Sequence, residues 1–398
     1  MPRGKKFPAC GYTNMYVCEK CIEDLCLQEV VRQNAISERC DYCDAVSETA
    51  IACELDDVMQ RIRFAVDQEY GSPDEETAYD SEEGEYISPV YTGRELFDDI
   101  GFGLENRKLY DDIVGQFWDE AFCRIGVLTG SPHERQMDAW SGFKDIVKHG
   151  RRYTFLSMSD GDCDHGILEH PPSRMMQNIA KTLQHFDLIK KLGPEARFWR
   201  VRAHDEARIL TIPIEIAAPT SEQAIYPNRM SPAGISMFYG SDFLETAWLE
   251  TVEAPRLDGK VVTAGQFAAA CPLNILDLCS LPTQKSFFRD WVQHTREALK
   301  FLHEFRDDLS QPVIKDGKQH IDYVPTQVFT EFVRYEFRTE VGERIHGIRY
   351  PSSKDGKPCY VIFADQDGCL DDVDYREQPQ LLRYVDSSVR RLKSFDDI

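Results

Sequence analysis

The sequence predicts an α+β fold, with a mainly helical N-terminal part that opens on a four-cysteine knuckle and a C-terminal part of mixed strands and helices. Three features lead there. Two Cys-x2-Cys pairs stand near the N-terminus. Between residues 47 and 194 apolar side chains recur at the helical period. Beyond Pro194 short alternating runs take over, and strands and helices follow one another without the regular βαβ rhythm of a doubly wound sheet. The expected organisation is a cysteine module at 1–46, a helical domain at 47–194, a mixed domain at 195–370 and a C-terminal extension at 371–398.

Cys18, Cys21, Cys40 and Cys43 form C-x2-C-x18-C-x2-C. Two cysteines three apart turn back on one ion, and two such knuckles complete a tetrahedron of thiolates, so a closed, structural zinc is expected. Cys26, inside the helix-compatible stretch 23–35, should pack rather than ligate. Ser47 is a candidate cap for a helix carrying Ile51, Leu55, Met59, Ile62 and Val66. The acidic stretch 71–99 reads as a solvated loop. Further helices are marked by Leu109, Ile113 and Phe117, by Met137, Trp140, Phe143 and Val147, and by Met176, Ile179, Leu183 and Phe186, the last stopping near Gly193-Pro194. Cys163 and His165 lie in an acidic turn without two further ligands nearby, which argues against a second metal there. Strands are expected at 197–202, 209–216, 260–267, 273–278, 346–350 and 359–364. Helices are expected at 246–250, at 286–309 and from Tyr323, where Pro325 fits a first turn.

The formal net charge is -22, and 42% of the residues are hydrophobic. That supports a sizeable core in two or three domains. It disfavours nucleic acid and anionic membranes as partners, and no apolar run approaches the roughly 18 residues of a membrane helix. The start MPRGKKFPAC has basic residues with no apolar core behind them, unlike a signal peptide. Thirteen cysteines, four of them in clustered pairs, suit metal binding in a reducing compartment better than disulfides. The expected location is the cytoplasm.

The stretch 226–250, YPNRMSPAGISMFYGSDFLETAWLE, concentrates unusual chemistry. Arg229 is a cation suited to phosphate, Tyr239 a ring that can stack, and Glu250 a carboxylate that can face developing positive charge. Together they suit a nucleotide whose bond at a sugar carbon is to be broken.

Five motifs in order resemble the RES domain, a family named for an arginine, a glutamate and a serine. They are Trp199-Arg200-Val201-Arg202, Asn228-Arg229 with Gly234, Phe238-Tyr239 with Glu250, Tyr323-x-Pro325-Thr326-Gln327, and Gly347-Ile348-Arg349-Tyr350-Pro351-Ser352-Ser353. The segment LDLCSLP at 276–282 is similar to the family's middle part, and the resemblance spans about residues 195–370. Trp199-Arg200 stands where the family commonly has Tyr-Arg, so Arg200 and Arg202 both remain candidates for the ligand. The paired cysteines and the pattern W-x2-F-x3-VKH-x2-RY-x-F at 140–155 resemble the zinc-bearing module found ahead of HEPN and RES domains.

The resemblance implies an ADP-ribosyltransferase-like fold and NAD+ as substrate, destroyed by hydrolysis or phosphorolysis in a toxin or anti-phage effector. In some relatives the ADP-ribose is transferred to a protein instead. It implies Arg229, Glu250 and Ser352 as catalytic residues and Arg200, Arg202, Tyr239, Ser353, Tyr323 and Gln327 as substrate-binding residues. A separate antitoxin or regulatory protein is the implied partner, and family members often pair as dimers. Cleaving the nicotinamide–ribose bond builds positive charge on C1′ and the ring oxygen, which a carboxylate at Glu250 would stabilise. Arginine forks at Arg200 and Arg229 suit a pyrophosphate. His204 and His346 are read as structural. Two readings of another class are an RNase, on the loose R-x4-H match of Arg289 and His294, and a non-catalytic zinc adaptor.

Overall fold

The structure, a computed structural model, describes residues 15–128, 130–158, 172–210, 213–252, 259–283, 286–289, 293–312, 317–371, 379–386 and 388–398. The turn holding Cys163 and His165 lies outside these residues, as does the side chain of His294. The chain forms two compact units, Met1–Arg135 with Thr283–Ala298, and Gln136–Pro282 with Leu299–Ile398.

The first unit begins with β1 (Tyr16–Cys18), α1 (Leu25–Asn34), β2 (Ala52–Glu54) and α2 (Leu55–Glu69). Asp24 caps α1 by accepting from the Cys26 and Leu27 amides at 2.9 and 3.1 Å. Ser47 does not cap α2, which starts at Leu55. Residues 52–54 pair with β1 instead, and the amides of Ile51 and Ala52 donate to the Ser37 carbonyl. β3 (Tyr70–Gly71), α3 (Pro73–Glu76), β4 (Tyr79–Asp80), β5 (Glu85–Tyr86), α4 (Gly93–Asp99), α5 (Arg107–Gly115) and β6 (Cys123–Arg124) follow. The acidic stretch is therefore ordered, not a continuous loop. Tyr79 and Tyr86 meet edge to face across the β4–β5 hairpin, and a Thr92–Glu95 capping box starts α4, which buries Leu96 and Phe97.

Residues 283–298, distant in sequence, complete this unit. Phe288 is buried in its core, its carbonyl accepts from the Cys26 thiol at 3.3 Å, and Ser286 donates to Asp24 at 2.9 Å. Residues 286–289 are thus not helical, although a helix was expected from 286. The cysteine sulfurs at 18, 21, 40 and 43 lie within 4.8 Å of one another. Cys18 is 3.8 Å from Cys21 and 3.5 Å from Cys43, and Cys21 is 3.8 Å from Cys40. Thiolates about 2.3 Å from a tetrahedral zinc would stand roughly 3.8 Å apart, so the four fit such an ion. The Cys18 amide also donates to the Cys40 sulfur at 3.4 Å.

The second unit holds most of α6 (Pro132–His149), then α7 (Pro172–His185), β7 (Ile189–Leu192), β8 (Arg197–Asp205), β9 (Phe238–Ser241), α8 (Leu244–Thr251), β10 (Lys260–Ala269) and β11 (Leu273–Asp277). It continues with most of α9 (Gln293–Ser310), then α10 (Gln319–Asp322), α11 (Val324–Tyr335), β12 (Gly347–Pro351), β13 (Pro358–Ile362), β14 (Leu382–Tyr384) and β15 (Arg390–Leu392). Its nine strands form one mixed sheet in the order β14-β10-β8-β9-β13-β12-β11-β7, with β15 also on β10. β11 and β12 are parallel, and every other described pairing in it is antiparallel. The architecture is α+β. The sheet starts at Ile189 and ends at Leu392, so it reaches past residues 195–370 on both sides.

Trp140, Ile179, Phe305 and Phe329 of the helices pack with Ile348 and Val361 of the sheet, and the Trp140 indole donates to Asp308 at 2.8 Å. Phe198 and Val201 of β8 fall on opposite faces, as an odd spacing requires. Phe198 packs with Phe238 and Phe267, while Val201 packs with Trp248 of α8. α7 ends at His185, well before Gly193, because Asp187 takes a φ of 48° and turns the chain into β7. Residues 213–215 form a 3-10 turn where a strand was expected. Among the described residues no helix is long and apolar enough to cross a membrane.

Metal analysis of the purified protein should find about one zinc per chain, and Cys40→Ser should release it and lower the melting temperature. A metal-free protein with an unchanged melt would rule the knuckle out as a zinc site.

Candidate active site

The site opens where the sheet divides. β8 pairs with β10 from Arg197 to Asp205, but with β9 only at Trp199–Ser241. Gly240 sits at that fork. A side chain there would stand 3.0 Å from the Trp199 carbonyl and 2.8 Å from the Phe238 ring. Past the fork the Arg200 guanidinium bridges the gap, its Nε donating to the Ile216 carbonyl and one terminal nitrogen to the Tyr239 carbonyl, both at 2.9 Å. Arg202, two residues on and on the same face, donates to the Glu215 carbonyl. These two bonds help keep 213–216 out of the sheet: the carbonyls of Glu215 and Ile216 serve arginines.

A cavity of about 830 Å³ lies here, within the roughly 300–1,000 Å³ of small-molecule sites. Arg200, Arg202, Arg229, Tyr239, Glu250, Tyr323 and Ser353 all border it. Four cations, these three arginines and Lys354, therefore face one carboxylate at the lining of a chain whose formal charge is -22. Burial lowers the Arg200 pKa to about 10, which still leaves it charged at neutral pH. Arg229 donates to the carbonyls of Leu309 and Gln311 at 2.8 and 2.5 Å, which fixes its head at the C-terminal end of α9. Arg200 and Arg229 are thus held by main-chain carbonyls, and among the described residues no carboxylate pairs with either.

Glu250 is placed by α8. Thr246 and Glu250 are four apart and share a helix face, and both bond the turn between β12 and β13. Ser352 donates to Glu250 Oε1 at 2.5 Å, and Thr246 donates to Asp355 Oδ2 at 2.8 Å. Ser352 is buried and is not part of the cavity wall; its hydroxyl also accepts from the Lys354 amide at 3.1 Å. It orients the carboxylate, while Ser353 reaches the wall.

Gln327 is likewise behind the wall. Its amide donates to the carbonyls of Asn228 and Ser231 at 2.8 and 3.2 Å, and Thr326 donates to the Arg229 carbonyl. The first turn of α11 therefore clamps the turn that presents Arg229. Gly234 closes the same loop at a φ of 84°, where glycine is favoured. The Tyr239 hydroxyl shares a hydrogen with Ser231 at 2.9 Å, and burial raises its pKa, so it stays neutral.

Tyr350 received no role from the sequence, although it stands inside the last motif. It lies on the wall within electrostatic reach of Tyr239, Glu250 and Arg229, and burial holds its phenol protonated. Its signal was position: it faces away from Arg349 on β12, toward the same side as Ser352. His204 bonds Thr263 at 2.8 Å, and His346 accepts from the Asn274 amide at 2.9 Å. Neither borders the cavity, and burial lowers the His346 pKa, so both serve the fold.

Thr246→Val keeps the volume and loses the bond to an exposed carboxylate, so urea denaturation should show a loss of about 1 kcal/mol. Asp355→Asn, which keeps an acceptor, should cost clearly less.

Residues 33–161 match HEPN/RES N-terminal domain 1, and residues 197–384 match the RES domain. No curated protein and no solved structure matches the chain. At the level of the family, a RES domain supports a toxin-type function related to NAD+. The chain belongs with the RES-domain proteins, carrying a HEPN/RES N-terminal module ahead of its RES domain.

Proposed function

We propose that the protein is an NAD+-degrading enzyme, a glycohydrolase or phosphorylase that breaks the nicotinamide–ribose bond, and that it acts as a toxin or defence effector. The observation that carries this is one oriented carboxylate, Glu250, in a cavity whose other charged lining residues are all cations. Arg200 and Arg229 grip the pyrophosphate oxygens, with Arg202 beside them. Tyr239 and Tyr350 flank the nicotinamide ribose. Ser352 holds one oxygen of Glu250, leaving the other to accept from a ribose hydroxyl and to face C1′. As the C1′–N bond breaks, its electron pair leaves with nicotinamide, and the positive charge spread over C1′ and the ring oxygen is stabilised by Glu250. Water or phosphate then bonds to C1′; with water the products are nicotinamide, ADP-ribose and a proton, with phosphate ADP-ribose 1″-phosphate.

The Cys18, Cys21, Cys40 and Cys43 site holds a structural zinc in this reading, closed to substrate by its four thiolates. Arg289, the arginine of the alternative RNase pair, does not border this cavity.

Purified protein incubated with NAD+ should release nicotinamide, and chromatography with and without phosphate should separate ADP-ribose from its phosphate. Label from NAD+ retained on protein would instead mark a protein ADP-ribosyltransferase. Glu250→Ala should slow turnover about 100-fold or more, the worth of one preorganised charge contact of ~3 kcal/mol, and should relieve growth arrest in cells expressing the chain. Unchanged NAD+ under all these conditions would refute the assignment.

A further inference from the structure

Two side chains at the cavity mouth play no part in the chemistry above. Tyr226 is 76% exposed and Ile225 63% exposed, yet both border the cavity. A large ring left in water is ordinary on a surface, but this one stands on a fixed base. The Gly234 amide donates to the Ala224 carbonyl at 2.7 Å on one side. On the other, Asn228 and Ser231 exchange main-chain bonds at 2.8 and 3.3 Å, and Gln327 holds both of their carbonyls. Pro227 biases the Tyr226 backbone away from the helical region. The main chain on both sides of the ring is thus tied down, which reduces the loop entropy lost on binding.

Its closeness in the chain to Arg229 points to a partner. Glu250 is fixed by the Ser352 turn, and Arg229 is fixed by carbonyls at the end of α9. Tyr226 lies three residues before Arg229, on the same clamped loop. A dinucleotide with its scissile C1′ at Glu250 and its pyrophosphate on Arg229 and Arg200 has its second nucleoside beyond Arg229. We propose that Tyr226 is the stacking platform for the adenine base, and so selects adenine dinucleotides over mononucleotides. This rests on the NAD+ reading of the same cavity.

The test compares NAD+ with nicotinamide mononucleotide, which has the same scissile bond and no adenosine. Stacking of one base on an aromatic ring predicts that Tyr226→Ala raises the KM for NAD+ about 10-fold with little change in kcat, and that Tyr226→Phe restores it. The penalty should be confined to the substrate that carries adenine. Calorimetric binding of ADP-ribose, which needs no turnover, should weaken by the same factor in Tyr226→Ala and not in Tyr226→Phe. An unchanged KM together with unchanged ADP-ribose binding would overturn the platform, as would an equal loss with the mononucleotide, which would put the ring at the nicotinamide end. If wild-type protein cleaves neither substrate but binds ADP-ribose in a Tyr226-dependent way, the catalytic reading falls and the platform stands. If it neither cleaves nor binds, both fall.

Discussion

The site depends on a sheet that comes apart in a controlled way. Two antiparallel strands that pair at one position and then separate leave main-chain groups without ladder partners, and buried groups of that kind must be satisfied. Arg200 does this by bonding the Tyr239 carbonyl on one side and the Ile216 carbonyl on the other. A neutral side chain of the same length would leave the gap open or let it close. The guanidinium keeps it open and makes it positive. The same group that repairs the fold thus sets the charge of the cavity.

The carboxylate is held with comparable care from the opposite wall. Glu250 sits at the last turn of a short helix, where a free glutamate would sample several rotamers. The Ser352 bond restricts it, and the Thr246–Asp355 bond one helical turn earlier keeps α8 and the β12–β13 turn in register. Ser352 is itself buried behind the wall and touches the site through its bond to Glu250. Gln327 has the same relation to Arg229. Two of the polar motif residues are supports for the residues that line the cavity.

In the first unit the cysteine cluster and the α1 and α2 helices share one core, closed by a segment from far along the chain. Phe288 and Ser286 belong to that core by contact, although they lie between residues that build the second unit's sheet and helices. Sequence order and structural membership part company at 283–298.

Local chemistry made much of this protein legible in its sequence. The C-x2-C pairs announced a four-sulfur cluster, the apolar period marked α2, α6 and α7, alternation marked β8, and Pro325 marked the start of α11. Each of these follows from neighbours a few residues apart. The motif residues Arg200, Arg229, Tyr239 and Glu250 were legible as candidates by type and order, and they border one cavity. What the chain could not disclose were relations set by distant partners. Residues 209–216 have a strand's composition, but two arginine side chains take the carbonyls a ladder would need. Residues 286–289 sit inside a helical period, but Phe288 is buried by the first unit's core instead. Ser352 and Gln327 were candidates for the site through the motifs they stand in. Only tertiary packing decided that their partners are a carboxylate from α8 and the carbonyls of the 228–231 turn, since a hydrogen bond's direction depends on which group the fold brings within 3 Å.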